Sequence, residues 1–306
     1  MTAGKLVVVG TPIGNLGDLA PRAIEVLRTA DVVAAEDTRR ARALLSAAGV
    51  PARGRLVSVH AHNEGERAAR LVDRALDGAV VAVVSDAGMP GISDPGAALV
   101  RAAAAAGVPV EVVPGPSAVL AALAVSGLPS DRFAFEGFLP RRGRSRDRRL
   151  AGIAASDRTV VVFESPRRVP GTLADLARVC GPDRPVVVAR ELTKLHEEVW
   201  RGSAGEAAAR AAAGGEPRGE HVIVVAGAPA PPDGGTGDPA VVAAGDSAGA
   251  EALEARVRAE LEAGASVRDA ARAASAELGV GRRTAYQAAL RAASGTAAGD
   301  AERDGA

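Results

Sequence analysis

Residues 83–96 read VVSDAGMPGISDPG. A run of valines stops at Ser85-Asp86, and Gly88, Pro90, Gly91, Asp94, Pro95 and Gly96 follow. A strand-to-helix connection usually takes only about 2–6 residues, whereas this turn extends from Ser85 to about Asp94. Asp94-Pro95 suits a helix start, so one reading is a turn and nothing more. The other is a ligand loop, because glycines allow the backbone to approach a bound molecule closely. Neither G-x-G-x-x-G nor a following Gly-Lys-Ser/Thr is present, which excludes the dinucleotide fingerprint and the P-loop.

Other residues with chemical potential are scattered. Glu36 and Asp37 stand together in AAEDTRR, where helix capping and dipole compensation compete with a role in proton transfer. The only lysines are Lys5 and Lys194; nearly all other basic residues are arginine. Between 141 and 149 there are six arginines and one aspartate. Arginine binds phosphate bidentately and stacks on bases, but such a run is most often a solvated loop. His60, His62, His196 and His221 lack companions at metal-ligand spacing, and Cys180 is alone, so neither a metal cluster nor an internal disulfide is expected.

These groups need a frame. The 306 residues, 47% hydrophobic, suffice for two domains or more. The formal net charge of zero confines any nucleic-acid site to a local patch. No apolar stretch reaches the length of a membrane span, and the first apolar run is too short for a signal peptide, so a soluble, cytoplasmic protein is expected. Strands are expected at 5–9, 31–35, 79–84 and 108–113, alternating with helices that open at Pro21, at EDTRR, at Pro95 and after PGPSA. This is an α/β layer with a mostly parallel sheet. Strands around DRFAFEG and at 158–163, 185–189, 197–201 and 220–226, with helices at 166–179 and 203–213, make a second α/β unit. The expected organisation is an N-terminal α/β domain at 1–115 and a second at 116–227. A linker at 228–250, a helical domain at 251–293 and a disordered tail at 294–306 follow. Gly279-Val280-Gly281 between two amphipathic helices suggests a helix-turn-helix.

Nine segments read together: GTPIGNLGD, AAEDTRR, VVSDAGMPGISDPG, VPGPSA, GLPSDRF, EGFLP, FESPRR, ARELTK and GEHVIVV. In this order they resemble the bacterial ribosomal RNA small subunit methyltransferase I family, a branch of the tetrapyrrole methylase superfamily. The resemblance runs over about residues 5–226 and extends to the helices after 250. It implies two α/β domains facing across a cofactor cleft, a helix-turn-helix-like C-terminal domain, and a homodimer. It also implies S-adenosylmethionine as cofactor and the ribose 2′-hydroxyl of a cytidine in the decoding region of 16S rRNA as methyl acceptor.

By the same resemblance, Pro12 and Ile13 form the proline loop, and Asp86, Ala87, Gly88 and Met89 the Gly-rich cofactor loop. Ser117 and Ala118 contact the methionyl part, and Phe163, Leu192, Glu220 and His221 close the other side. Methyl transfer to oxygen is a direct displacement in which positioning dominates. A base would help the weakly nucleophilic hydroxyl, and Glu36, Asp37 and Lys194 are the candidates, the lysine only with a depressed pKa. The expected RNA contacts are Arg39, Arg40, Arg141, Arg142, Arg144, Arg146, Arg167, Arg168, Arg282 and Arg283, on the small ribosomal subunit or its rRNA. With aromatics at 2%, stacking platforms of the RRM kind are not expected. Two rival readings are a methylase of small tetrapyrrole-type substrates and a non-enzymatic DNA-binding regulator.

Overall fold

The computed structural model describes residues 4–52, 54–60, 63–214, 218–229, 247–278, 280 and 284–292. They form two compact units, divided between Pro229 and Ala230. The larger unit holds two five-stranded sheets.

The first sheet is built from β1 (Lys5–Val9), β2 (Val32–Ala35), β3 (Leu56–Ser58), β4 (Val80–Val84) and β5 (Val110–Val113) in the order β3-β2-β4-β1-β5. Every pairing is parallel. Uninterrupted apolar runs such as VVAVV suit central strands covered on both faces. Leu6, Val81 and Val83 pack with α3 (Glu64–Leu76) and α4 (Ala97–Ala105) on one face. On the other, Val7, Val9 and Val33 pack with α1 (Pro21–Thr29) and α2 (Thr38–Ala47). The chain leaves β1 toward β2 but leaves β4 toward β5. Loops after these adjacent strands therefore diverge, and a crevice opens at their carboxyl ends, as at the switch points of other doubly wound sheets.

The elements β3 and α3 fall where sequence reading expects no regular structure. β3 has three half-buried residues, too few for a pattern. For α3 the signal was present in Ala68, Leu71, Val72 and Ala75, which are buried at helical spacing. Its Glu64 has a further function. One carboxylate oxygen accepts hydrogen bonds from the Gly96 and Ala98 amides at 2.9 and 2.8 Å, capping α4 across the fold. The helix accordingly begins at Ala97 rather than at Pro95.

The second sheet has the order β6-β7-β10-β8-β9, from β6 (Phe133–Phe138), β7 (Thr159–Glu164), β8 (Pro185–Arg190), β9 (Glu198–Ser203) and β10 (His221–Val225). Only β6 and β7 are parallel; the other three pairings are antiparallel. Helices α6 (Arg144–Ala155), α7 (Val169–Cys180) and α8 (Ala204–Ala213) cover one face. Helix α5 (Ala118–Ser126) covers the other, together with Ile13 from the loop after β1 and Leu192 from the loop after β8.

Helix α6 corrects an expectation. Residues 141–149 are read from sequence as a loop, but from Arg144 onward they are helical. Arg146, Leu150 and Ile153 share one buried face, so an arginine occupies a place in the apolar period. Its guanidinium pairs with Asp175 at 2.8 Å and donates to Thr172 Oγ1 and to the Pro140 carbonyl. Thr172 in turn donates to Glu164, which is 1% exposed. Glu164 also binds the Arg168 guanidinium, which donates to the Leu139 carbonyl. Burial alone would raise the Asp175 carboxyl, but hydrogen bonds from Arg146 and Arg178 hold it below the usual carboxylate range. Arg146 and Arg168 are thus occupied inside the unit and are withdrawn from the RNA-contact set.

The smaller unit contains α9 (Ser247–Glu262), α10 (Val267–Leu278) and α11 (284–292). Leu253, Val257, Ala271, Ala274, Ala285, Ala288 and Ala289 form its core. Arg256 joins α9 to α10 through Glu277. Arg282, Arg283 and the tail after 292 lie outside the described residues, as do His62 and most of the expected linker.

Candidate active site

The loops after β1 and β4 are tied together before any ligand arrives. Thr11 and Gly88 exchange backbone hydrogen bonds at 2.9 and 3.1 Å, and the buried Thr11 hydroxyl donates to the Ser85 and Gly88 carbonyls. Gly10 and Gly115 bring the ends of β1 and β5 into contact: a Cβ on Gly10 would stand 2.6 Å from the Gly115 backbone and 2.7 Å from Met89 Sδ. The loop after β1 also meets the other sheet, since a Cβ on Gly14 would lie 2.4 Å from Lys194 Cγ.

Between these loops lies a cavity of about 380 Å³, within the usual range for small-molecule sites. Pro12 and Ile13 line it from the β1 loop, Asp86 and Ala87 from the β4 loop, Arg40 and Leu44 from α2, and Lys194 and Glu220 from the second sheet. Of the expected cofactor residues, Pro12, Ile13, Asp86, Ala87 and Glu220 therefore meet at one place. Gly88 holds the loop through its backbone bonds to Thr11, and Met89 Sδ lies against Gly10. Ser117 caps α5 by accepting from the Leu120 amide, and Ala118, Phe163 and Leu192 pack in the core between α5 and the second sheet; none of the six lines this cavity.

His221 is a correction. In register it lies opposite both Glu164 and Arg190, so it shares their face, on the side of α7. Its Nδ1 is 3.0 Å from the Gly219 carbonyl oxygen, and burial pushes its pKa down. Strand alternation turns neighbouring Glu220 and His221 to opposite sides, and only Glu220 reaches the cavity.

The carboxylates define the site's electrostatics. Asp86 accepts from the Asp37 amide at 3.1 Å and pairs with Arg40 at 3.3 Å. Arg40, expected on RNA, lines the cavity wall with its side chain still largely exposed. Burial and the Asp86 charge raise the pKa of Glu36. Asp94 is pushed up to about 6 by burial, then by the charges of Glu36, Asp86 and Glu220, against a hydrogen bond with Ser85. In the sequence Asp94 suits a helix start; only the fold brings Glu36, Asp86 and Glu220 near it. Burial is the larger cause of both shifts, and the neighbouring carboxylates add to it.

Two of the base candidates are engaged in ion pairs of their own. Asp37 caps α2 through the Arg39 amide, and the Arg39 side chain holds its carboxyl well below the usual range. Burial disfavours the Lys194 charge, but hydrogen bonds to Glu191 at 2.7 Å and Glu220 at 3.0 Å outweigh it. Its pKa is raised, the opposite of what a lysine base needs. Strain gathers here too: Ser93, Glu191 and Thr193 are the described non-glycine residues with left-handed backbone, at φ 63°, 51° and 67°. Such residues tend to cluster at functional sites.

Residues 5–208 match the family described as Tetrapyrrole (Corrin/Porphyrin) Methylases. A protein of Mycobacterium tuberculosis (strain CDC 1551 / Oshkosh) named Ribosomal RNA small subunit methyltransferase I is 47% identical over 291 residues, 95% of this chain and 96% of that one. The chain belongs to the ribosomal RNA small subunit methyltransferase I family, within the tetrapyrrole methylases. A member from Xylella fastidiosa (strain Temecula1 / ATCC 700964) is 51% identical over 228 residues, 74% of this chain and 83% of its own. Among solved structures, uroporphyrin-III C-methyltransferase from Thermus thermophilus, complexed with S-adenyl homocysteine, superposes with a TM-score of 0.51 at 26% identity. The match covers 73% of this chain and 97% of that one. The two-sheet architecture with its intervening cleft is thus the family's own.

Proposed function

We propose that this chain transfers a methyl group from S-adenosylmethionine to the ribose 2′-hydroxyl of a cytidine in the decoding region of 16S rRNA. The observation that carries this reading is the near end-to-end match to a relative named for small-subunit rRNA methylation. The cleft supports it. The cofactor is a cation at sulfur, and the carboxylates of Asp86 and Glu220 line the cavity that would receive it. Pro12, Ile13, Asp86, Ala87 and Glu220 would hold the cofactor, with Gly88, Met89, Ser117, Ala118, Phe163 and Leu192 supporting those contacts. When bound, the cofactor supplies an electrophilic methyl carbon.

The chain's own residues then have separate tasks. Asp86, fixed by Arg40 and the Asp37 amide, sets the charge of one wall, and Lys194 fixes Glu220 on the other. Glu36 is the preferred base candidate, its pKa raised by burial and by the Asp86 charge. Small-subunit rRNA or the assembled particle is the macromolecular substrate, which places the reaction in the cytoplasm. Arg39, Arg40, Arg141, Arg142, Arg144, Arg167, Arg282 and Arg283 are the proposed RNA contacts.

Mass spectrometry of 16S rRNA nucleosides from small-subunit particles, with and without enzyme, tests the reading; an unchanged 2′-O-methylcytidine content refutes it. Calorimetry should show S-adenosylmethionine binding in the micromolar range, about −8 kcal/mol. Asp86→Ala should weaken it at least tenfold while the melting temperature holds within a few degrees. Unchanged affinity would reduce the β4 loop to a turn.

A homodimer is part of the same proposal. Val110 and Val112 on edge strand β5 and Leu120 and Val125 on α5 are exposed, at 39%, 52%, 56% and 37%, and would supply the apolar part of the contact between copies. Sedimentation velocity should give twice the chain mass; a monomer at micromolar concentration would contradict it.

A further inference from the structure

The chain has four phenylalanines in 306 residues, and three of them meet at one end of the second sheet. Phe135 and Phe163 touch edge to face with centroids 4.8 Å apart, and Phe138 meets Phe163 at 5.7 Å and 64°. Phe135 and Phe163 belong to the core that also contains Ile13 and Leu192. Phe138 does not finish the core: it is 53% exposed.

Its position is the work of a backbone irregularity. Residues three apart on a regular strand point to opposite faces. In β6 the register slips between Phe135 and Gly137, so Phe138 pairs with Phe163 and joins Phe135 on the face that α5 covers. Bulges of this kind re-aim side chains beside active sites. Gly137 adopts φ 62°, which a side chain would strain, and a Cβ there would sit 3.1 Å from Ser93 Oγ. Ser93 is itself held at φ 63° in the loop that carries Asp86 and Asp94. The bulge that exposes Phe138 is therefore seated against the candidate cofactor loop. Immediately beyond, Arg141 and Arg142 are exposed and have no carboxylate partner among the described residues.

We propose that Phe138 is the stacking surface for the base of the nucleotide being methylated, with Arg141 and Arg142 beside it for the flanking phosphates. This rests on the reading of the chain as an rRNA methyltransferase. A half-exposed ring anchored edge-on by a second ring costs little entropy to order, and its free face suits a nucleobase drawn out of its stack. An aromatic face beside unpaired guanidinia matches a nucleotide's own pairing of flat base and anionic backbone. A small uncharged apolar ligand would leave those guanidinia unused.

The test compares wild type with Phe138→Ala, Phe138→Leu and Phe138→Tyr on purified small-subunit particles. Calorimetry with S-adenosylmethionine and melting curves run alongside. Phe138→Ala should lower kcat/KM for the particle by about ten- to hundredfold, the range for loss of one base stack. Phe138→Tyr should restore activity to within about threefold of wild type. Phe138→Leu should remain near the alanine variant, because it restores apolar volume without a π-face. All three should bind the cofactor as wild type does. Alanine activity within twofold of wild type, or leucine rescuing as well as tyrosine, overturns the stacking role. So does loss of cofactor binding in parallel with activity. If wild type itself transfers no methyl group to the particles, the functional reading fails and the stacking role falls with it.

Discussion

Glu164→Ala should lower the unfolding free energy by about 3–5 kcal/mol, the range for removing one partner of a buried ion pair. Glu164 lies at the end of β7 with 1% exposure. Its carboxylate accepts from the Ser165 amide at 2.8 Å, from Thr172 at 2.7 Å and from Arg168 at 3.2 Å. Removing it leaves the Thr172 hydroxyl and the Arg168 guanidinium short of an acceptor beneath α7. The chain Thr172–Arg146–Asp175 then loses one end. Since Arg146 and Arg168 hold the Pro140 and Leu139 carbonyls, the loop after Phe138 should loosen as well. Urea unfolding followed by circular dichroism measures the loss. A change under 1 kcal/mol would mean that the network is solvated and not structural. Glu164→Gln should fall between the two, because it keeps the shape and two acceptor contacts but not the charge.

The second large effect concerns RNA affinity. Arg141, Arg142, Arg144 and Arg148 are exposed and have no ion-pair partner among the described residues, whereas Arg146 is buried and Arg149 pairs with Glu136. Replacing those four with alanine removes charge from the rim without touching the buried network. Each phosphate contact contributes about 0.7–0.9 to the slope of log K against log salt. If all four make contacts, affinity for small-subunit particles should fall about 10²- to 10³-fold at 0.1 M salt, and the slope should flatten by about 3. Cofactor affinity should stay unchanged, since none of the four lines the cavity. Filter binding across a salt series decides the matter. A slope equal to wild type would move the RNA surface elsewhere on the chain. The Arg146→Ala variant is the informative control: it should lose stability rather than salt dependence.

Much of the fold was legible in the residues. The valine runs of β1, β2 and β4 have no other stable use than the middle of a covered parallel sheet. The Gly- and Pro-rich turns after β1 and β4 marked loops longer than connection alone demands, and the structure brings Pro12, Ile13, Asp86 and Ala87 to one cavity. Local pattern suffices there because burial on two faces and backbone approach to a neighbour both write themselves into consecutive residues.

Where partners are distant in sequence, local pattern stops being informative. Arg146 looks the same in the chain as Arg144 or Arg148; only its place on the Leu150 face of α6, with Asp175 waiting on α7, makes it internal. Lys194 was a base candidate until Glu191 and Glu220 fixed its charge. Asp94 passed for a helix start until the fold put Glu36, Asp86 and Glu220 around it. His221 and Glu220 are neighbours in sequence, yet the pleat sends them to opposite sides of the sheet. Phe138 turns to the face of Phe135 and Phe163 only because the register slips between Phe135 and Gly137. The sequence by itself determined most of the strands and helices, the α/β class and the family, but not β3, α3 or the helical start of α6. The tertiary structure decided which charges are spent within the protein and which remain free to meet a ligand, because electrostatic energy depends on distances that only packing sets.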